Sequence, residues 1–178
     1  MSRPTLPSGT ALRLLTPADA GALAAAYRDH RAHLAPWEPL RTEDFFTPAG
    51  QAEQIAARLA DLAAGTEIPW VLVAEDGIIG TMTLTGIVRG PFLSAHVGYW
   101  VDTRLQNRGI GSTALHLALL HAQEELGLHR VQASVLPHNT PSRAVLQRAG
   151  FTMIGMAPSY LRIAGRWQDH LLYQRLLS

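Results

Sequence analysis

A mixed α/β fold is predicted for this chain on three observations. A glycine-bearing turn, Gln106-Asn107-Arg108-Gly109-Ile110-Gly111-Ser112-Thr113, joins a strand-like run at 96–101 to a helix-like run at 114–120. A second strand-like run, 130–136, leads into a helix with its own start and stop signals and then into an apolar run at 151–154. The runs 70–74 and 78–84 are joined by Glu75-Asp76-Gly77, a hairpin signal. Strands that alternate with helices in one half and pair directly in the other describe a mixed sheet with helices packed on it.

The elements follow in order. Residues 11–15 read as a first strand, and Thr16-Pro17 announces a helix over 18–33 with Leu23 and Tyr27 on one face. Residues 34–50 hold Pro36, Pro39, Pro48 and Gly50 around Trp37, Phe45 and Phe46, which predicts an aromatic loop. A helix is expected over 51–64, with Ile55, Leu59 and Leu62 at helical spacing. After the hairpin at 70–84 come a loop at 85–93, a strand at 94–102, and a helix that ends near Leu126 before Gly127. Thr140 caps the next helix, Pro141 suits its first position, and Gly150 stops it. Strands at 151–154 and 170–176 complete the order βααβββαβαββ.

Composition narrows the possibilities. A chain of 178 residues with 47% hydrophobic content is expected to form one domain over 1–178, with residues 1–10 poorly ordered. A net charge of +1 steers it toward neither nucleic acid nor an anionic membrane. There is no cysteine, so disulfides, thiolate metal sites and a cysteine acyl-enzyme are excluded. His30 and His33 share a helix face without a third ligand, and no metal site is expected. Residues 1–10 lack a signal-type apolar segment and no run has the length of a membrane span, so the cytoplasm is the expected location.

The glycine turn is the most informative stretch. Two glycines let the backbone approach a ligand closely, and the first amides of a helix have no partner within it. Such a helix start is suited to phosphate. A Walker loop requires a lysine, and all 15 basic residues here are arginine. A dinucleotide fingerprint would want a third glycine where Ala114 stands and an acidic residue near Arg130-Val131-Gln132. Gln106-x-x-Gly109-x-Gly111 instead resembles the pattern Gln/Arg-x-x-Gly-x-Gly/Ala of the Gcn5-related N-acetyltransferases (GNAT).

The block Asn139-x-x-Ser142 with a closing Gly150-Phe151 resembles the second half of that family's core. Three phrases are similar to its RimJ/RimL branch: His33-Leu34-Ala35-Pro36-Trp37-Glu38-Pro39, Val88-Arg89-Gly90-Pro91-Phe92, and Tyr160-Leu161-Arg162-Ile163-Ala164-Gly165-Arg166-Trp167-Gln168-Asp169-His170. The resemblance implies an acyl-CoA N-acyltransferase fold in which two central parallel strands splay apart. It implies acetyl-CoA as co-substrate, with the pyrophosphate on the amides from Arg108 through Ile110, Gly111, Ser112 and Thr113, beside Gln106 and Asn107. Pantetheine would pair with the backbone of Trp100, Val101 and Asp102, and Arg104, Arg108, Arg143 and Arg148 are candidates for the 3′-phosphate or adenine. Asn139 would hold the pantetheine or its loop, and Ser142 would hydrogen-bond the departing sulfur.

The implied acceptor is an amine, most readily the N-terminal Ala or Ser of a ribosomal or other protein; a small-molecule amine and a CoA-binding regulatory module are the alternatives. The reaction would be direct attack on the thioester, because no cysteine is available and Ser112 does not stand in Gly-x-Ser-x-Gly. An α-amine titrates near ~7.7–8.0 and a lysine amine near ~10.4, so an N-terminal substrate needs only a weak base. Glu38 leads as that base, with Asp169 and His170 as alternatives. Trp37, Glu38, Tyr160 and Trp167 are candidates for binding the acceptor, and Tyr99 and Trp100 are further aromatics able to wall it, with core packing favoured for Trp100. The family's glutamate five residues before the Asn is Ser134 here, and its tyrosine seven residues after it is Leu146. A monomer or homodimer is expected, without nucleic-acid or membrane partners.

Overall fold

The computed structural model describes residues 6–7, 9–105 and 108–177. Seven strands form one sheet in the order β1-β2-β3-β4-β5-β7-β6. They are β1 Ala11–Leu14, β2 Ile68–Ala74, β3 Gly77–Val88, β4 Ser94–Val101, β5 Arg130–Val135, β6 Thr152–Ile163 and β7 Arg166–Leu176. The helices are α1 Ala20–Asp29, α2 Arg31–Leu34, α3 Pro48–Ala63, α4 Ile110–Glu124 and α5 Thr140–Arg148. The β4–β5 pair is parallel and every other strand pair is antiparallel, which makes the sheet mixed, as expected.

Strand alternation divides the side chains between two cores. Leu72, Met82, Leu84 and Val97 face α4 and pack with Leu115, Ala118 and Leu119. Val71, Ile78 and Trp100 face α1 and α3 and pack with Leu23, Tyr27 and Ile55. Cover on both faces explains why β2 reads as a continuous apolar run.

Several boundaries differ from the sequence reading. The helix expected over 18–33 is broken at His30, whose φ of −102° separates α1 from α2. Pro48 opens α3 instead of ending the loop before it: a proline is tolerated at the first helical position, and Thr47 caps it by accepting from the Gly50 amide at 3.0 Å. Strand β3 continues past Leu84 to Val88 across a register shift between Thr85 and Val88. Strands β6 and β7 are far longer than their apolar ends suggested. Between them, Ala164 and Gly165 turn with φ of 48° and 81°, the two positive values of a tight hairpin.

Candidate active site

The parallel pair β4–β5 is joined at only three positions, Ser94–Arg130, Ala95–Val131 and His96–Gln132. Beyond them β4 stays paired with β3 and β5 with β7, while their facing edges separate. Backbone groups of Val97–Val101 and of Ala133–Val135 are thereby left facing a gap, as the predicted splay requires. A cavity of about 520 Å³ opens there, bounded by Gly98 and Tyr99, Ser134, Asn139 and Ser142, and Glu38.

One wall of the gap leads into α4. Gly109 precedes that helix with φ 79°, a left-handed conformation that side chains resist. The first i−4 bond of the turn runs from the Thr113 amide to the Gly109 carbonyl at 2.9 Å, so the preceding amides have no intrahelical acceptor. A Cβ on Gly111 would stand 3.5 Å from Val101 Cγ2, so the helix start packs directly on the end of β4. Arg108 and Gly109 are exposed, Ser112 and Thr113 are half-buried, and Ile110 is turned into the core. A bare backbone with free amides at a helix N-terminus fits a pyrophosphate. Gln106 and Asn107, expected in the same role, lie outside the described residues, as do residues 1–5 and 8 of the N-terminal segment.

The arginines proposed around the coenzyme differ in their freedom. Arg104 folds back on the buried Asp102, donating from its backbone at 2.8 Å and from Nη2 at 2.6 Å. His30 Nε2 approaches the same carboxylate at 3.3 Å. The Arg104 guanidinium, first among the causes, holds the Asp102 carboxyl below its usual range. Arg143 Nη1 donates to the Pro137 carbonyl at 3.0 Å, which ties α5 to the end of β5. Arg108 and Arg148 are exposed.

The opposite side of the gap carries hydroxyls. Asn139 caps α5, its Oδ1 accepting from the Ser142 amide at 3.2 Å. Ser142 Oγ in turn lies 3.1 Å from Tyr99 Oη, a hydrogen bond in which either can donate. Burial pushes the Tyr99 phenol up to about 12, so it is neutral and able to donate at physiological pH. Tyr99 was anticipated only as an aromatic wall; its hydroxyl partnership depends on a contact that sequence spacing does not encode.

Glu38 enters from the aromatic loop. Burial pushes its carboxyl up from the ordinary value, and Arg41, at 3.7 Å, opposes that shift in part. Its backbone carbonyl accepts from the Ala164 amide at 2.9 Å, so the β6–β7 turn pins the loop over the cavity. Trp37 lies beside it, its ring 5.3 Å from that of His138. Tyr160 and Trp167 are not part of the cavity lining and stand 38% and 64% exposed on the β6–β7 hairpin. Trp100 is buried between Tyr27 and His30, and its Nε1 donates to Tyr27 Oη at 3.3 Å. Asp169 accepts from the Ser159 amide at 2.8 Å, and His170, buried, borders the cavity.

Residues missed in the sequence complete the cavity: Arg58 and Gln54 of α3, Glu67 before β2, and Thr81, Thr83 and Thr85 of β3. Their signal was present as three threonines at alternate positions of an otherwise apolar strand. Among the described residues no group of three or more His, Asp or Glu side chains is placed to hold a metal ion. No helix of the described residues is long and apolar enough to cross a membrane.

A splayed parallel pair with an open helix start beside it and a hydroxyl pair at the gap is the frame that the sequence resemblance implied for an acyl-CoA N-acyltransferase fold. The acetyltransferase (GNAT) domain profile matches residues 10–152, and the chain belongs to that family and is an N-acetyltransferase. Among relatives, it is 34% identical over 163 residues to the [ribosomal protein uS5]-alanine N-acetyltransferase of Escherichia coli (strain K12), covering 90% of this chain and 84% of that protein. The ribosomal-protein-S5-alanine acetyltransferase from Vibrio fischeri superposes with a TM-score of 0.92 at 34% identity, over 97% of this chain and 96% of that one. Mycobacterium smegmatis RimJ in complex with CoA-disulfide superposes with a TM-score of 0.89 at 33% identity, over 94% of this chain and 81% of that one.

Proposed function

We propose that this N-acetyltransferase moves the acetyl group of acetyl-CoA onto the α-amine of an Ala- or Ser-starting protein N-terminus, with a ribosomal protein as acceptor, in the cytoplasm. The observation that carries the reading is the cavity itself. Glu38 reaches it from one side and Ser142 from the other, with the β4–β5 gap between them. The likeness to uS5-alanine acetyltransferases over nearly the whole chain supports the acceptor class.

The coenzyme supplies an acetyl thioester. The free amides at the start of α4, with the backbone of Gln106 and Asn107, receive its pyrophosphate. The open edge of β4 at Trp100 and Val101 pairs with the pantetheine amides. Asn139 fixes the start of α5 and with it the Ser142 hydroxyl. Glu38, with its raised proton affinity, takes the proton that the attacking amine loses as the C–N bond forms. Ser142 donates a hydrogen bond to the sulfur as the C–S bond breaks, Tyr99 holds the Ser142 hydroxyl in place, and the departing thiolate takes its proton from solvent. Trp37 flanks the acceptor amine, and Tyr160 and Trp167 receive the acceptor chain as it leaves the cavity. Residues 1–178 act as one domain, as a monomer or homodimer.

The test is thiol release from acetyl-CoA with Ala-, Ser- and Met-starting peptides beside a panel of small amines. Turnover confined to the Ala and Ser peptides is expected. Turnover with small amines alone would sink the protein-acceptor reading, and coenzyme binding without any turnover would point to a regulatory module.

A further inference from the structure

On the α1/α3 side the cavity extends past the splay into a region whose lining is unusual for helix packed on sheet. Helix α3 turns Gln51, Gln54 and Arg58 toward β3, where an apolar stripe would be the ordinary solution. Strand β3 answers with Thr81, Thr83 and Thr85. Arg58 bridges the two: Nε donates to Glu67 Oε1 at 2.6 Å and Nη2 donates to Thr83 Oγ1 at 2.5 Å. The Arg58 and Glu67 side chains are only 25% and 12% exposed. No hydrogen bond among the described residues uses Arg58 Nη1 or Glu67 Oε2. Unused guanidinium N–H groups and a carboxylate oxygen are therefore presented together, inside a cavity, by a pair with no net charge.

This region is one residue away from the splay. Thr83 is paired across the sheet with Gly98, and Gly98 lies where β4 has just parted from β5. A Cβ on Gly98 would meet nothing within 4 Å, so the passage between the gap and the Arg58–Glu67 pair is open. Directly opposed strand residues are about 4.5–5.5 Å apart, and one extended residue advances a chain by about 3.3–3.6 Å. An amine held at the gap thus places the next side chain of its own peptide against Thr83, Arg58 and Glu67.

We infer that Arg58, Glu67 and Thr83 form a subsite for the second residue of the acceptor, selecting a neutral side chain that both donates and accepts hydrogen bonds. The inference rests on the protein N-terminus as acceptor. An apolar side chain there would cover Nη1 and Oε2 without pairing them, and a charged one would meet a pair that is already neutralised.

The experiment compares kcat/KM for two peptides that differ only in the second residue, Ala-Asn and Ala-Leu, with the parent enzyme and with Glu67→Gln and Thr83→Val. Both peptides are read on the same preparation, so partial unfolding cancels from the ratio. The parent should favour Ala-Asn by roughly tenfold, and the ratio should fall toward one in both variants. A parent with no preference, or a preference that both variants retain, overturns the subsite. A parent that acetylates small amines but neither peptide overturns the acceptor reading and the subsite with it.

Discussion

Tyr99 on β4 and Ser142 on α5, 43 positions apart, share a hydrogen bond of 3.1 Å across the mouth of the gap. In the proposed reaction Ser142 stabilises the departing thiolate by a hydrogen bond, and Tyr99, kept neutral by burial, serves to hold that hydroxyl in place. Ser142→Ala should lower kcat by about 10²-fold, in the range of a lost hydrogen-bond donor to a developing charge. Tyr99→Phe should cost roughly tenfold, and the double variant should be no slower than Ser142→Ala alone, since groups acting in series are not additive. Steady-state rates of the three variants check this; additive losses would mean that the two hydroxyls act independently.

Glu38 is predicted to trade stability for reactivity. Its proton affinity is raised by burial, so the folded state binds a proton more tightly than the unfolded state. Its contribution to stability is therefore full below the unfolded value near 4.5 and is lost as pH rises through the raised folded value. Glu38→Gln should melt higher than the parent at pH 8 and no differently at pH 4, while kcat drops by about 10²-fold. The remaining activity should rise with pH as the acceptor amine loses its own proton, near ~7.7–8.0. Melting curves at both pH values and a pH–rate profile read the two halves separately.

What the sequence revealed, and what it hid, follows from the range of each interaction. Gly109 and Gly111 were legible because a left-handed helix start and a bare backbone are local demands that glycine meets. Asn139 and Ser142 stood out through the family motif, whereas the cap was expected one residue late, at Thr140, and is Asn139. The middle of the β6–β7 hairpin was hidden. Pro158 and the positive φ of Ser159 interrupt the alternation, and Asp169 repairs that irregularity from the other strand. Tyr99 with Ser142, and Arg58 with Glu67 and Thr83, were hidden because their meaning lies in pairing across the fold. Trp100 read correctly as core because burial is the usual fate of a large strand aromatic, and it packs with Tyr27 and Ile55.

Asp102 should matter to the coenzyme although it points away from the gap. Its carboxylate, 2% exposed, fixes the turn after β4 through the Arg104 backbone and guanidinium and meets His30 behind it. Asp102→Asn keeps the shape but loses the charge that draws the Arg104 guanidinium. The acetyl-CoA KM should rise by about tenfold, with kcat reduced less, because the helix start proposed to receive the pyrophosphate is reached through this turn. An unchanged KM in a destabilised variant would reduce the network to a structural tie between α1 and β4.

Gly98 gives the sharpest separation of fold from function. It sits in the interior of β4, where glycine weakens a strand, and nothing lies within 4 Å of the Cβ it lacks. A larger residue is thus sterically free and, by strand propensity, favoured by about 0.5–1 kcal/mol. Gly98→Val should melt no lower than the parent, and a few degrees higher if the full propensity gain is realised. The two methyl groups would stand in the passage between the splay and Thr83. Peptide kcat/KM should fall at least about tenfold, through KM more than kcat, because the acceptor and not the thioester is displaced. Thermal melts and peptide kinetics on one preparation decide the matter. A stable variant with undiminished peptide turnover would show that the acceptor enters by another face of the cavity.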